Sequence, residues 1–568
     1  MRPVLAIPDP ASSQARELSR SLGVTITLAD VLHRRGHVGG DDTLRFLDPR
    51  LSQLTSPKDM AGRGVAIERI VAGIRKREHT VVFGDYDCDG ITSAAIMTEV
   101  ICALGGEASP MLADRYGGGY GLTDPAVDAI LQAGPTLVVT CDCGSSDHER
   151  LERLRRKGVD VVVIDHHLVP SEPVPALAFL NPNRPDCPFP YKNLASCGLA
   201  LSLAAGLRGE MGSELDVRKW LDLVAIGTVA DVVPLDGDNR VLVRAGMRYL
   251  ESGTRLGLRW LADLGKIALS SGVSSVTISF EIAPRLNAPG RLGSPLPALN
   301  LLLARDHDQA RELAVQIEQM RTQRRQIQDK IVAEALAEIA DCGFARDPAI
   351  VVGREGWSVG VVGIVAAQLV ERFGKPTIVI GFSGDVGRGS VRGPAGVPIY
   401  DLLTASREAP VTFGGHQAAA GVQVQVGALE RLRELFNAAA QALPARTTAL
   451  ETCLAEVQLD PGDRASDVVV DLGRLEPCGM TNPAPSMAVL NATVTRVQAV
   501  RGGHLQVTLQ TRGGEALHGF GLSMGNRASS LVVSSRVDAI GRLRRDTWRG
   551  GDAVALRVEA IEPAGERG

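Results

Sequence analysis

The sequence predicts an α/β protein: a parallel-sheet domain and a second α/β domain joined by one long helix, with a small β-barrel at the C-terminal end. Three observations carry this expectation. From residue 79 short apolar runs alternate with helical patterns, as in HTVVFGD then GITSAAIMTEVICAL, TLVVTCD then DHERLERLRRKG, and VDVVVID, the signature of parallel strands with crossover helices. Residues 306–340 contain neither Gly nor Pro and read as a single helix. From about residue 450 the chain turns to alternating strands and Gly turns, as in NATVTRVQAVRGGHLQVTLQTRGG, which predicts a barrel.

In chain order, residues 1–75 form a helical lead-in ending in AIERIVAGIRKRE, whose apolar residues recur at helical spacing. Residues 76–304 hold the first α/β domain and 305–341 the connecting helix. Residues 342–448 hold the second α/β domain, with AIVVG, VVGIVAAQLVERFG and PTIVIG as strand, helix and strand, and 449–568 the barrel. A chain of 568 residues, 45% apolar and 22% charged, can build several sizeable cores. No stretch approaches the roughly 18 apolar residues of a membrane span, and MRPVLAIPDPASSQ lacks the blocks of a signal peptide; a cytoplasmic, monomeric protein without membrane attachment is expected. The nine cysteines are scattered without a CxxC pair, which suggests neither a disulfide framework nor a zinc site. A net charge of −4 neither demands nor excludes nucleic acid, because a basic groove can be offset elsewhere.

The strand ends carry the chemistry. VVFGD delivers Asp85, with Asp87 and Asp89 just beyond; LVVTCD delivers Asp142; VVVID delivers Asp165, followed by His166 and His167. In an open parallel sheet the carboxyl ends of the strands share one edge, so these side chains converge there. A helix predicted from about residue 221 adds Asp231, set in the apolar run VAIGTVADVV where an unpaired carboxylate is costly. Carboxylates with one or two imidazoles suit Mn2+ or Mg2+ better than zinc. Two such ions, roughly 3.5–4 Å apart and sharing a bridging carboxylate, would hold both the attacking hydroxide and the phosphate oxygens of a displacement. That is a phosphoesterase design. A single Asp after a strand is more often an N-cap or turn residue; the weight rests on four segments acting together. Cys88, Cys141 and Cys143 stand beside acids, which suppresses thiolate and argues against a cysteine nucleophile.

These residues also carry a family resemblance. D-x-D-x-D-G at Asp85 to Gly90, TCDCG at Thr140 to Gly144, DHH at Asp165 to His167 and GTVADVVPL at Gly227 to Leu235 resemble the four motifs of the DHH phosphoesterase superfamily. RYGGGYGL, APRLNAPGRLG, VGVVGIVAAQLVERFGKPTIVI, RGSVRG, FGGHQAAAG and LEPCGMTNPAP follow in order over nearly the whole chain, and together they are similar to the RecJ family of single-stranded-DNA exonucleases. The resemblance implies metal ligation by Asp87, Asp89, Asp142, His166 and Asp231, with Asp142 the bridge; Asp85 and Asp165 either ligate or orient neighbours. It implies His167 as a phosphate contact or proton donor to the leaving 3′ oxygen, with a packing role as the alternative. Arg115 and Arg285 would grip a terminal 5′-phosphate, and Tyr120 would stack on a nucleobase or else fill a gap. The second α/β domain is similar to DHHA1 domains, with Ser390, Arg392 and His416 as backbone contacts, and the barrel resembles an OB-fold.

By this resemblance the expected activity is 5′-to-3′ exonucleolysis of single-stranded DNA with two Mn2+ or Mg2+ ions, releasing 5′-mononucleotides in recombination and repair, with a helicase and a single-strand-binding protein as partners. Two departures stand out: Ser358 follows the tryptophan where RecJ proteins commonly have histidine, and Gly393 replaces a usual serine. On the connecting helix Arg321, Arg324 and Arg325 are either a solvated face or phosphate contacts along a single-strand channel. The alternatives are a phosphodiesterase for short oligonucleotides or cyclic dinucleotides, for which the N-terminal region and barrel would be superfluous, and a non-catalytic replication factor, against which the intact ligand set argues.

Overall fold

The computed structural model describes residues 4–565 apart from 254, 410, 416–418, 444–451, 547–548 and 551–552. The chain forms two compact units, one made of Met1–Leu54, Pro234–Arg244 and Arg446–Gly568, the other of Thr55–Val233 and Ala245–Ala445.

The larger unit contains two sheets. Strands β1 (His79–Gly84), β2 (Glu107–Leu112), β3 (Leu137–Cys141), β4 (Asp160–Ile164) and β5 (Ala178–Leu180) form a parallel sheet in the order β2-β1-β3-β4-β5. Strands β1, β3 and β4 are buried almost throughout, as continuous apolar runs covered on both faces should be. The register sets Gly84 beside Cys141 and Cys141 beside Ile164. The next residue of each strand keeps the ladder going: Asp85 N donates to Cys141 O at 3.1 Å, Asp142 N to Ile164 O at 2.9 Å and Asp165 N to Leu180 O at 3.0 Å. Three aspartates thus leave the sheet at one level, as the carboxyl-edge argument predicts.

Helices α1 (Cys88–Ala103), α2 (Ser196–Glu210) and α3 (Leu221–Ala230) complete this edge. Gly90 is required for the strand-to-helix turn, because a Cβ there would lie 2.5 Å from both Asp85 N and Asp85 O. Gly227, inside α3, lets that helix approach α1 and α2, since a Cβ would meet Thr92 Oγ1 at 2.5 Å and Cys197 Sγ at 2.6 Å. Close approach of the three helices follows from these bare positions.

The connecting helix α4 runs from His307 to Asp341, 35 residues, or about 52 Å at 1.5 Å per residue. Asp306 caps it by accepting from the backbone N–H groups of Asp308 and Gln309. Its distal residues Ile331, Ala335 and Ile339 pack with Ile350, Val352 and Val365 of the second α/β domain. That domain has a mixed sheet in the order β9-β10-β8-β7-β6, built from β6 (Ile350–Glu355), β7 (Thr377–Ser383), β8 (Val386–Arg392), β9 (Val411–Gly415) and β10 (Ala419–Gln425). Only β6 and β7 pair in parallel. The Gly-rich stretches GRGSVRG and AAG lie in neighbouring antiparallel strands, with Gly421 opposite Ser390, and helix α5 (Val362–Phe373) packs on the sheet.

In the smaller unit β11 (Met487–Val500), β12 (His504–Gln510), β13 (Ala516–Gly521), β14 (Arg536–Arg545) and β15 (Val554–Pro563) follow the order β11-β12-β13-β15-β14, and β11 also pairs with β14. The result is a closed five-stranded barrel. Its core is shared with the N-terminal helices: Leu18, Leu28 and Leu32 belong to one apolar cluster with Val457, Val468, Val489 and Leu509. Arg240 is buried, stacks 3.9 Å from the Phe46 ring and donates to the carbonyls of Phe46, Arg474, Leu475 and Pro477. These carbonyls satisfy the buried cation and tie the stretch Pro234–Arg244 into the unit.

Candidate active site

The carboxyl edge of the parallel sheet gathers the acids. His166 Nε2 lies 3.3 Å from Asp142 Oδ1, 3.3 Å from Asp231 Oδ2 and 3.9 Å from Asp89 Oδ2. Three overlapping groups, Asp85/Asp87/Asp142, Asp89/His166/Asp231 and Asp142/His166/His167, each bring ligand atoms within 4.8 Å of one another.

Local structure holds each of them. Asp87 caps α1, accepting from Asp89 N at 3.0 Å and Gly90 N at 3.2 Å. Asp89 receives Ser196 N at 2.7 Å and Cys197 N at 2.9 Å, the first backbone donors of α2, where a helix N-terminus favours negative charge. Asp142 adopts a left-handed backbone (φ 63°), which turns its side chain into the cluster, and Ser196 Oγ donates to its Oδ1 at 3.2 Å. Asp231 closes α3 as its C-cap. Asp165 is different: its Oδ1 takes His166 N at 2.8 Å, His167 N at 3.2 Å and His167 Nδ1 at 2.7 Å, while Oδ2 takes Ser145 N at 2.9 Å. With both oxygens so engaged it orients the two histidines.

The electrostatics of the cluster suit a bound cation. Burial, reinforced by neighbouring carboxylates, pushes Asp142 and Asp85 well above the usual carboxylate range and Asp231 up to about 9. Burial also lowers His166, which favours the neutral, metal-ligating imidazole. The Asp165 carboxyl is held below its ordinary range: burial works against ionisation, but His167 and Ser145 hydrogen bonds outweigh it. The same pairing, against burial, lifts His167 to about 9. Buried and without hydrogen-bond partners, His166 Nε2 and Asp231 Oδ2 face each other across 3.3 Å. Orphaned donor atoms of this kind are rare in folded proteins, and a hard divalent ion satisfies both. The thiols of Cys88, Cys141 and Cys143 are raised by burial and nearby acids, consistent with inert cysteines.

Beside the cluster a cavity of about 450 Å³ opens between the two α/β domains, lined among others by Tyr86, Arg115, Val359, Arg388, Ser390 and Phe413. Tyr86 stands between Asp85 and Asp87, so cavity and cluster adjoin. The Arg115 guanidinium stacks 3.9 Å from the Tyr86 ring, and its Nε is buried without a partner. Arg392 donates to Val391 O, and its Nη2 lies 3.3 Å from the Cβ position of Gly363, next to Ser390 Oγ at 3.0 Å. Tyr120 places its hydroxyl 2.8 Å from Asp142 O and 2.9 Å from His167 Nδ1. One of the sequence-derived residues is not brought here and a second is not described. Arg285 is buried among helices, paired with Glu318 and donating to Glu281 O and Gly265 O, while His416 lies outside the described residues.

Arg291 is the residue that sequence reasoning missed. Its Nη1 donates to Gly360 O at 3.0 Å, and burial together with the charges of Arg115 and Arg324 pulls it down to about 10. Arg285 and Arg291 stand six residues apart in APRLNAPGRLG, and at about 100° per residue such a pair cannot share a helix face; that was the available signal. Of the departures, the Ser358 hydroxyl sits 3.3 Å from that of Tyr116, which donates to Arg291 O at 2.6 Å. A Cβ on Gly393 would lie 2.5 Å from Ile399 Cδ1, so a serine requires local adjustment.

The edge cluster and the paired domains define a DHH-type protein: residues 79–228 match the DHH family, N-terminal domain, residues 346–442 the DHHA1 domain and residues 455–560 the RecJ OB domain. The chain is 32% identical to the single-stranded-DNA-specific exonuclease RecJ of Bacillus subtilis over 97% of its own length and 70% of that protein, and 32% identical to RecJ of Escherichia coli over 82% and 81%. The crystal structure of RecJ in complex with Mn2+ from Thermus thermophilus superposes with a TM-score of 0.82 at 26% identity, covering 99% of this chain and 79% of that one. A Mg2+ complex of the same protein also matches, at 0.76 and 25%, covering 99% and 78%. The chain belongs to the RecJ family of single-stranded-DNA-specific exonucleases. Among the described residues no helix is long and apolar enough to cross a membrane.

Proposed function

We propose that this single-stranded-DNA-specific exonuclease works from the 5′ end, holding a terminal phosphate in the cavity beside the cluster and releasing 5′-mononucleotides. The observation that carries the reading is Arg115: a guanidinium with a buried, unpartnered Nε, in a cavity wall shared with Ser390 and adjoining Asp85 and Asp87 through Tyr86. Such a donor is matched by phosphate oxygens. A 5′-phosphate held there leaves the next phosphate of the strand to reach the carboxylates.

Asp87, Asp89, Asp142, His166 and Asp231, with Asp85 at the margin, would hold two divalent ions, Mn2+ or Mg2+. When bound, such ions supply an activated water and charge compensation for the phosphate oxygens. The chain's own residues do the rest. Asp165 holds the His167 imidazole at Nδ1 and the backbone N–H groups of His166 and His167, and His167, kept protonated by Asp165, gives a proton to the departing 3′ oxygen as the P–O3′ bond breaks and the oxygen of water bonds to phosphorus. Arg291 adds positive charge beside Arg115. We assign no phosphate contact to Arg285, whose donors are engaged in the scaffold. A helicase that supplies the free strand, and recombination and repair as the setting, follow from the family.

The test is digestion of an internally labelled single-stranded oligonucleotide blocked at its 5′ or its 3′ end, in Mn2+ or Mg2+, beside Asp142→Ala. Degradation that survives the 3′ block, fails with the 5′ block and disappears in the variant supports the reading. Degradation that survives the 5′ block refutes it.

A further inference from the structure

We propose that Tyr120 is a positioning residue for His167: its hydroxyl, seated between the Asp142 carbonyl and the His167 ring, fixes the orientation in which that imidazole meets the scissile phosphate. The inference rests on the role given to His167 above and departs from base stacking as the purpose of this tyrosine.

The loop that carries Tyr120 is fastened immediately after it. Gly121 N donates to Asp85 Oδ1 at 3.3 Å and Leu122 N to Asp147 Oδ2 at 3.1 Å. Gly121 is left-handed (φ 72°), and a Cβ there would fall 2.9 Å from Asp147 Oδ2, so the turn admits no side chain. The buried Asp85 at the sheet edge and the half-buried Asp147 ahead of the helix His148–Arg156 therefore anchor the loop that carries the phenol. Its hydrogen is committed to Asp142 O at 2.8 Å, because a carbonyl can only accept. What remains toward His167 is an oxygen lone pair, 2.9 Å from Nδ1. The same Nδ1 lies 2.7 Å from Asp165 Oδ1. The hydroxyl oxygen also lies 3.3 Å from Nε2, so it sits against the ring edge between the two nitrogens, and together with Asp165 on Nδ1 it fixes the plane of the imidazole. The rings meet edge-on, with centroids 5.3 Å apart and planes at 65°, a contact that resists rotation of the imidazole.

This arrangement also links the two kinds of group in the site. Asp142 is both a candidate ligand and, through its carbonyl, the anchor of Tyr120, so the imidazole is indexed to the backbone of the cluster. The phenylalanine variant isolates the claim, since it keeps the ring and removes only the hydroxyl.

The experiment compares wild type, Tyr120→Phe, His167→Ala and the double variant on a 5′-phosphorylated single-stranded oligonucleotide in Mn2+. Tyr120→Phe should lower kcat about 10–100-fold with KM and Mn2+ affinity unchanged, and should cost nothing further in the His167→Ala background. Wild-type kcat in Tyr120→Phe overturns the proposal, and so does a second full loss in the double variant. A second readout needs no turnover: with histidine-selective 15N labelling, the His167 ring resonances should move in Tyr120→Phe, and unchanged resonances overturn the proposal even if the enzyme proves to act on another substrate. Absence of single-strand cleavage by the wild type instead removes the exonuclease reading on which the kinetic arm depends.

Discussion

Replacing Asp231 by Asn should stabilise the metal-free protein and destroy its response to metal. Asp231 Oδ2 is buried without a hydrogen-bond partner, and Asp231 shares a group with Asp89 whose ligand atoms lie within 4.8 Å. Two unit charges at that separation repel by about 3 kcal/mol at an effective dielectric constant of about 20. Because its folded pKa is raised to about 9, the carboxyl contributes its full stability below the unfolded value near 4 and loses it as pH rises through about 9. In EDTA, wild-type melting temperature should therefore fall between about pH 4 and pH 9, and Asn, which does not titrate, should flatten that fall. Mn2+ should reverse the order: at a hundred times its dissociation constant a ligand adds about 2.7 kcal/mol, which the wild type gains and the variant forfeits. Differential scanning calorimetry at pH 5, 7 and 9, with EDTA or Mn2+, reads both effects. A variant less stable than wild type in EDTA at pH 9, or one stabilised equally by Mn2+, would refute the view that this carboxylate is strained until a cation arrives.

Three further outcomes follow from the geometry. Arg115→Ala should raise KM about 10-fold or more for a 5′-phosphorylated strand and much less for a 5′-hydroxyl strand, as expected for loss of a charge-assisted contact; equal effects on both ends would dissociate Arg115 from the terminal phosphate. Asp165→Asn keeps the shape but loses the charge that accepts from three backbone and imidazole N–H groups on Oδ1, so kcat should drop about 10–100-fold, measured under saturating strand. Leu28→Ala removes a fully buried side chain from the cluster shared by the N-terminal helices and barrel and should cost about 2–5 kcal/mol of the smaller unit's stability, read by urea denaturation.

Much of the site was legible because strand ends are legible. Three apolar runs each finish in Asp, and the parallel register sets Gly84, Cys141 and Ile164 abreast, so the convergence of Asp85, Asp142 and Asp165 follows from sheet geometry alone. How each is engaged by backbone donors does not, since Gly121 N reaches Asp85, and Ser145 N and His167 N reach Asp165, through turns beyond the strands. The pairing of Arg285 with Glu318 depends on a helix 33 residues further along the chain, a tertiary fact. The hydroxyl contacts of Tyr120 are hidden for a similar reason, since their partners lie 22 and 47 residues away in the chain. Strand, helix and strand announced the second α/β domain, but the antiparallel pairing of its Gly-rich segments depends on partners about 30 residues apart, as with Ser390 and Gly421.

The shared core of the N-terminal helices and barrel has a consequence for biosynthesis. Beyond the N-terminal stretch itself, Leu18, Leu28 and Leu32 share their cluster with residues from 457 onward, and the other stretch of that unit is the short segment Pro234–Arg244. At a ribosomal rate of about 5–20 residues per second, some 400 residues pass in about 20 to 80 s. For that interval the emerged helices Ser13–Leu22 and Ile26–Arg34 lack the barrel side chains that complete their core. The larger unit, whose chain is complete by residue 445, can close first. A nascent chain stalled before the barrel should then expose its amino-terminal stretch to protease while its central portion already resists.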